Sequence, residues 1–112
     1  MKVVNRIKSN QDFALTIKKG KYVNAGVFHF ALLKTENNHL RIGISVSKKL
    51  GNAVVRNKIK RQIRAMCDAN VNFEEPFDLV IIAKTKFLEN SFQENEQTLC
   101  DFLHNENIGV SK

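Results

Sequence analysis

Residues 46–64 read VSKKLGNAVVRNKIKRQIR, and the rest of the fold can be predicted outward from this stretch. Gly51 and Asn52 mark the start of a helix, because asparagine is a favoured N-cap whose side-chain oxygen accepts a hydrogen bond from the first turn. The apolar residues that follow recur at helical spacing and form one face, which consists of Val55, Ile59, Ile63 and Met66. We therefore expect a helix over Ala53–Ala69 with this face in the core.

A line of positive charge, the basic ridge, runs along one edge of the same helix. It consists of Arg56, Lys60 and Arg64, and residues 48–64 contain seven basic residues and no acidic one. Like charges at this spacing destabilise a helix by about 0.2–0.5 kcal/mol per pair. We interpret the uncompensated repulsion as a sign of an external polyanion, and phosphate is also favoured at the helix N-terminus. The alternative is a solvated helix salt-bridged to the acidic C-terminal half.

Charge is also segregated along the whole chain, with basic residues in the first part and acidic residues in the second. The 112 residues carry a net charge of +7, with 15 Lys/Arg against 2 Asp/Glu in residues 1–64 and 3 against 9 in residues 65–112. A uniformly basic surface could serve solubility alone, whereas a segregated one predicts a face that contacts phosphate. The length predicts a single domain over residues 1–112, and this domain would carry the phosphate-contacting face.

A short helix and two strands are predicted before the basic helix. Ser9 and Asp12 have the form of a capping box and Gly20 suits a C-terminal stop, so we expect a helix over Gln11–Lys19. Alternating apolar residues predict two strands, Val27–Lys34 and Leu40–Ser47. The polar residues between these strands favour a turn, and we expect the two strands to form a hairpin.

A third strand and a closing helix are predicted after the basic helix. Pro76 breaks the chain before Phe77–Ala83, a nearly continuous apolar run typical of a strand covered on both faces. Ser91 and Glu94 form a second capping box. The core-facing side of the closing helix is predicted to consist of Leu88, Phe92, Leu99, Phe102 and Leu103. The element order α-β-β-α-β-α predicts an α+β sandwich with helices packed on a small sheet.

The run from Val46 to Arg64 closely resembles the RNR motif of the bacterial ribonuclease P protein subunit. Its spacing, Lys-Lys-x-Gly-Asn-Ala-Val-x-Arg-Asn-x-x-Lys-Arg-x-x-Arg, is highly specific. The family fold includes a small mixed sheet with a left-handed βαβ crossover, against the usual right-handed preference, and the resemblance implies this crossover here. The resemblance spans the chain, and outside the motif it covers Asn5, Arg6, Ile7, Asp12, Phe13, Arg41–Val46 and Phe77–Ala83.

The resemblance implies a protein cofactor for a catalytic RNA. The holoenzyme removes the 5′ leader from precursor tRNA by metal-assisted phosphodiester hydrolysis, and the RNA subunit supplies the active site. We therefore expect Mg²⁺ to be used by the RNA active site, with no dedicated metal site and no catalytic residue in this chain. The expected partners are the catalytic RNA and the precursor's leader, in a ribonucleoprotein that contains one copy of the chain.

The resemblance also implies two sets of contact residues, carried over by matching position. The motif segment contacts the catalytic RNA, and the predicted set is Lys48, Lys49, Asn52, Arg56, Asn57, Lys58, Lys60, Arg61 and Arg64. Lys58 stands where arginine is usual and lacks the planar fork for bidentate phosphate contact. A cleft between the sheet and the first helix holds the single-stranded leader, and we place in it Phe13, Ile17, His29, Ala31 and Arg41.

Two of these cleft residues depart from the family pattern, and a third has an alternative explanation. Ile17 and Ala31 stand where relatives often have aromatic residues, which predicts weaker stacking of leader bases. Phe13 matches a characteristic aromatic of the family, but a core position in the first helix would explain this residue equally well.

Other functions have less support from the residues. A ribosomal protein or RNA chaperone fits the composition equally, and only the motif argues against it. A DNA-binding helix-turn-helix would need a helix, not a strand, just before the basic helix. A self-sufficient nuclease is disfavoured because the histidines and scattered carboxylates form no recognisable catalytic arrangement. Asp12 or Asp78 could help to hold a hydrated Mg²⁺ near bound RNA.

The remaining features predict an ordinary cytoplasmic protein. Cys67 and Cys100 belong to no CxxC motif or metal-binding cluster, and we expect both to be buried thiols. No apolar run approaches the roughly 20 residues that cross a bilayer, so no membrane contact is expected. The N-terminus lacks the apolar region of a secretory signal.

Overall fold

The structure, a computed structural model, describes residues 2–106 and 108, and these contain three α-helices and four strands. The helices are α1 (Asn10–Lys19), α2 (Ala53–Asn70) and α3 (Phe92–Asn105). The strands are β1 (Lys21–Asn24), β2 (Phe28–Lys34), β3 (Arg41–Val46) and β4 (Phe77–Ala83). The α+β class is confirmed, and β1 is a strand that the predicted order lacked.

The four strands form one mixed sheet in the order β1-β2-β4-β3. Strand β2 pairs antiparallel with β1 and with β4, whereas β3 and β4 are parallel and are joined through α2. This gives the implied βαβ connection, whose left hand stays a prediction. The expected hairpin between β2 and β3 is wrong, because β4 lies between them and β2 forms its hairpin with β1. Strand β4 is mostly buried, which suits a central position.

One face of the sheet carries the main hydrophobic core. Helix α2 contributes Ile59, Ile63 and Met66, each at most 3% exposed, so the predicted apolar face is confirmed. Helix α3 packs beside it, and the ring of Phe102 stacks on that of Phe30 with centroids 4.0 Å apart. These contacts fix α2 against the sheet and leave its other side free.

One expected core position of the closing helix is wrong. Leu88 lies in a 3-10 turn (Thr85–Glu89) before α3 and is 54% exposed. The preceding residue, Phe87, takes the buried position instead and packs on Phe28 with ring centroids 5.7 Å apart. The tighter turn changes which side chain points inward.

Helix α1 covers part of the opposite face of the sheet. Gly43 of β3 allows this close approach, because a Cβ there would lie 2.7 Å from Cε2 of Phe13. Gly20 ends α1 as predicted, and a Cβ there would lie 2.5 Å from the carbonyl oxygen of Thr16 and 2.8 Å from that of Leu32. Both glycines are therefore required by the packing of α1 on the sheet.

The helix caps largely follow the sequence. Asn52 caps α2, and Ser91 with Glu94 forms a complete capping box at α3. Ser9 caps α1, but Asp12 does not complete the expected box because its carboxylate accepts a hydrogen bond from an arginine of β3. Within residues 2–106 and 108, no helix combines the length and the hydropathy needed to cross a bilayer.

Candidate nucleic-acid interface

The segment Lys48–Arg64 folds as a 3-10 turn over Lys48–Leu50 followed by the start of α2. Gly51 joins the two at φ 140°, a conformation that side-chain-bearing residues rarely adopt, and a Cβ there would lie 3.0 Å from Val55. This glycine allows the sharp entry into the helix. The Asn52 side chain can then accept from the backbone N–H of Val55 at 3.0 Å.

The basic ridge lies on α2 at the boundary between the core and solvent. Its three side chains are partly exposed, one side of each resting against the protein. The other predicted contact residues are exposed, namely Lys48, Lys49, Asn52, Asn57, Lys58 and Arg61. Lys58 stands apart on the flank of α2 that lines a cavity with Phe87 and Leu88.

None of the seven basic residues of this segment forms an ion pair within the part of the chain that the structure describes. The ion pairs described there join Lys21 to Glu106, and Arg41 to Asp12 and Asp78. The alternative, a helix salt-bridged to the acidic C-terminal half, therefore has no support among those residues. The mutual repulsion along the ridge is therefore not compensated by carboxylates of the described residues.

Arg56 also has hydrogen-bonding capacity that the described residues do not use. Its Nε is buried and has no hydrogen-bond partner among residues 2–106 and 108. A buried unsatisfied donor costs about 1–3 kcal/mol. A ligand that drew the guanidinium outward would relieve this cost.

A shallow cavity of about 140 Å³ connects the basic ridge with α1. Lys60 and Arg64 line it from α2, and Phe13 and Gly43 line it from the other face of the sheet. Arg6 completes the lining from a short segment that pairs with the edge strand β3. The ridge and Phe13 therefore belong to one continuous surface around the β3 edge.

Helix α1 does not cover one row of side chains that runs across the sheet, which we call the uncovered row. The strand register aligns these residues, which are all at least partly exposed: Asn24, His29, Ile82 and Ser45. The next row, beneath α1, includes the fully buried Ala31 and Val80. A surface thus exists between α1 and the sheet, with Phe13 and His29 on this side.

Burial changes the status of two predicted cleft residues. Ala31 is 0% exposed beneath α1, so its side chain is not accessible in this structure, and its contact with the leader stays a prediction. Ile17 on α1 is 38% exposed and stays available. The burial of Ala31 could not be seen in the sequence, since it depends on where α1 packs.

Arg41 is held by two carboxylates. Its Nε and Nη2 donate to the two carboxylate oxygens of Asp78 at 2.9 and 2.6 Å, and its Nη1 donates to Asp12 at 3.2 Å. These contacts raise the pKa of Arg41, chiefly through the hydrogen bonds to Asp78. Arg41 therefore ties α1 to β3 and β4. Its contact with the leader stays a prediction.

Tyr22 is a surface residue that the sequence reasoning missed. It lies in β1 and is 51% exposed, and its hydroxyl is hydrogen-bonded to Nδ1 of His29. Strand β1 is only four residues long and mostly polar, so its pattern gave little sign of a strand. The one available signal was the adjacent pair Tyr22 and Val23 after Gly20, because both residue types are favoured in strands.

The histidines, cysteines and carboxylates of the described residues do not gather into a cluster of metal ligands, and the cysteines are at least partly buried. No three His, Cys, Asp or Glu side chains among residues 2–106 and 108 converge as metal ligands. Cys67 is fully buried, which raises the pKa of its thiol to about 12. Cys100 is partly buried, and burial raises its thiol pKa also. Thiols of this kind are protonated and unreactive at neutral pH.

The fold and this surface define a small mixed α+β protein whose long helix carries the basic ridge. A family model described as Ribonuclease P matches residues 1–106. The "Ribonuclease P protein component" of Streptococcus agalactiae is 43% identical over 103 residues, which cover 92% of this chain and 94% of that protein. The protein of the same name from Mesoplasma florum is 43% identical over 101 residues, 88% of this chain and 92% of that one.

The fold agrees with these sequence matches. The solved structure of the Staphylococcus aureus RNase P protein superposes with a TM-score of 0.81 at 36% identity, covering 93% of this chain and 96% of that one. The chain belongs to the ribonuclease P protein family. Membership implies an RNA partner and a part in tRNA processing.

Proposed function

We propose that this chain is the non-catalytic protein subunit of a ribonuclease P ribonucleoprotein and that it binds the catalytic RNA through the motif segment. The observation that carries the proposal is the basic ridge, three stacked cations of the family motif with no carboxylate partner among the described residues. Such a ridge binds a phosphate backbone and releases its counterions. The proposed contacts are Lys48, Lys49, Asn52, Arg56, Asn57, Lys58, Lys60, Arg61 and Arg64.

The 5′ leader of precursor tRNA is proposed to lie along the uncovered row, next to α1. Phe13 borders this surface, and the cavity that it shares with Lys60 and Arg64 gives one path from the catalytic RNA to the leader. Unpaired bases stack on aromatic side chains, and phosphates meet the flanking cations. The protein would thereby hold both RNAs at once.

Mg²⁺ is proposed to act in the RNA subunit, which supplies the active site. Asp12 and Asp78, the carboxylates suggested as Mg²⁺ ligands, already accept hydrogen bonds from Arg41. The contribution of this chain is then positional and electrostatic, because its cations reduce the repulsion between two polyanions. Less Mg²⁺ is needed to screen that repulsion when the protein is bound.

The protein is proposed to act in the cytoplasm, as one copy per catalytic RNA. Precursor tRNA is made in the bacterial cytoplasm, and the relatives from Streptococcus agalactiae and Mesoplasma florum are bacterial. One ridge presents one continuous surface to the RNA, which fits a one-to-one complex.

Reconstitution tests the proposal most directly. The chain is combined with its cognate catalytic RNA and a precursor tRNA, and release of the leader is measured at low Mg²⁺. We expect cleavage from the combination, and none from the protein alone or the RNA alone at that Mg²⁺ concentration. Cleavage by the protein alone would contradict the subunit assignment. RNA binding without any stimulation of cleavage would instead favour an RNA chaperone.

A further inference from the structure

Tyr22 and His29 form an aromatic pair on neighbouring strands, with His29 in the uncovered row and Tyr22 in the adjacent row, opposite Ala31. Their rings meet edge to face, with centroids 5.0 Å apart at an angle of 77°. A hydrogen bond joins the Tyr22 hydroxyl to Nδ1 of His29. Because Tyr22 is half exposed and does not belong to the hydrophobic core, the pair presents a fixed ring to solvent.

The strand register places this ring beside a position that has none. Tyr22 lies opposite Ala31 in the β1–β2 pair, so both side chains point to the same side of the sheet. Ala31 is small and fully buried and offers no surface for stacking. Tyr22 therefore brings to this surface, from the neighbouring strand, the aromatic ring that position 31 lacks.

His29 holds the tyrosine ring in place. Burial, and then the nearby charge of Lys84, lower the pKa of His29, so its imidazole is neutral near pH 7. The neutral ring can accept a hydrogen bond from the Tyr22 hydroxyl at Nδ1. A side chain fixed before binding loses less conformational entropy when a ligand packs on it.

A positive charge lies next to the pair. Lys84 follows β4, and its Nζ donates to Oδ1 of Asn24 at 2.9 Å, at the same end of the uncovered row as His29. An exposed ring beside an ammonium group matches a nucleotide, whose base stacks and whose phosphate is anionic. An apolar peptide segment would use the ring but not the charge.

We propose that Tyr22 and His29 form the stacking platform for one unpaired base of the precursor's 5′ leader, with Lys84 near the adjoining phosphate. The inference rests on the proposed function, because the leader is the single-stranded RNA of that reaction. It adds a specificity-determining pair that lies outside the motif segment. Tyr22 contacts the base, and His29 positions Tyr22.

The test uses the reconstituted holoenzyme and two precursor tRNAs, one with a long leader and one with a single-nucleotide leader. Tyr22→Ala removes the ring, and Tyr22→Phe keeps it without the hydroxyl. Leu88→Ala is the matched control, since Leu88 is as exposed as Tyr22 but lies beside α2 and Phe92. We expect Tyr22→Ala to weaken binding of the long-leader substrate by about fivefold or more and to leave the short-leader substrate unchanged. Tyr22→Phe should bind nearly as the wild type does.

A second readout separates stacking from a structural role. 2-Aminopurine is placed at successive leader positions, because its fluorescence is quenched when it stacks on a ring. Quenching is expected at one position with the wild type and Tyr22→Phe, and should be absent with Tyr22→Ala. If Tyr22→Ala does not fold, as judged by circular dichroism, Tyr22→Leu replaces it in both assays.

The outcomes distinguish this inference from the proposed function. Equal long-leader affinities for the wild type and Tyr22→Ala, or quenching that persists without the ring, would overturn the platform while cleavage continued. A wild-type holoenzyme that did not cleave either precursor would overturn the proposed function and remove the leader as the ligand. A loss of affinity that was equal for both precursors would also count against the platform, because it would not depend on the leader.

Discussion

At the scale of single residues, the ion pairs of Arg41 join strands β3 and β4 to helix α1. Asp78 is 3% exposed and accepts two hydrogen bonds from the guanidinium of Arg41, which in turn reaches Asp12 on α1. The two carboxylates differ sharply in burial, because the Asp12 side chain is 41% exposed and that of Asp78 is 5% exposed. The pair with Asp78 should therefore matter more for stability.

Asp78→Ala is expected to lower the free energy of unfolding by about 2–3 kcal/mol, because it leaves a partly buried guanidinium with one weaker partner. Asp12→Ala, the matched control, should cost less than about 1 kcal/mol, as exposed ion pairs do. Urea unfolding followed by circular dichroism measures both. Equal losses for the two variants would show that burial does not decide the strength of this pair.

His29 gives stability a dependence on pH. Burial and the charge of Lys84 lower its pKa below 6.5 in the folded state, so the unfolded chain binds the proton more readily. Its contribution to stability is therefore complete above pH 6.5 and is lost as the pH falls through the folded pKa. The melting temperature of the wild type should fall more than that of His29→Gln when the pH drops from about 7.5 to about 5.

The control for His29 is the exposed His104. His104→Gln removes an imidazole from α3, outside the Tyr22–His29 pair, and so shows how much the loss of any one histidine changes the pH dependence. An NMR titration should place the pKa of His29 below 6.5. A value above 6.5 would contradict the assignment of a neutral, phenol-accepting imidazole.

At the scale of elements, α2 has two sides with different tasks. Ile59, Ile63 and Met66 anchor it to the sheet, and the basic ridge faces outward along one edge. The apolar side stabilises the fold whether or not RNA is present. The ridge destabilises the isolated helix and is therefore best explained by a ligand.

The double variant Arg56→Ala, Arg61→Ala is expected to weaken binding of the catalytic RNA by about tenfold, with a shallower dependence of log Kd on log salt. The control is the double variant Lys18→Ala, Lys19→Ala, which removes the same charge from the end of α1. A smaller loss of affinity for the catalytic RNA is expected from it. Filter binding at several salt concentrations measures both. Equal losses would indicate diffuse electrostatic attraction rather than a specific face.

At the scale of the whole molecule, the charge is arranged for assembly rather than for the stability of the free protein. The basic N-terminal part and the acidic C-terminal part do not neutralise each other at the ridge within the described residues. Net repulsion of this kind lowers the stability of the compact state. Anions that bind the folded chain should restore it.

Sulfate is therefore expected to raise the melting temperature more than chloride at equal ionic strength, because it binds the native state in preference to the unfolded chain. Thermal unfolding followed by circular dichroism measures the shift. The double variant Arg56→Ala, Arg61→Ala should show a smaller rise. A melting temperature that did not respond to sulfate would argue against bound anions at the ridge.

The sequence by itself determined the three α-helices, three of the four strands of the described residues, and which side of α2 is buried. The reason is that period and capping are local, so Ile59, Ile63 and Asn52 report their positions within a few residues. It also determined the family, because the motif is a contiguous pattern of residue types. Strand β1 was not predicted, because four residues are too few to show a strand period.

Only the tertiary structure decided which strands are neighbours and what the cleft residues touch. Strand order depends on contacts between segments far apart in sequence. Strand β4 lies between β2 and β3, a central position that suits a strand buried along most of its length. The same packing buried Ala31, paired Arg41 with Asp78 and brought Tyr22 to His29. Local patterns cannot contain this information, because each of these outcomes depends on a partner supplied by another element.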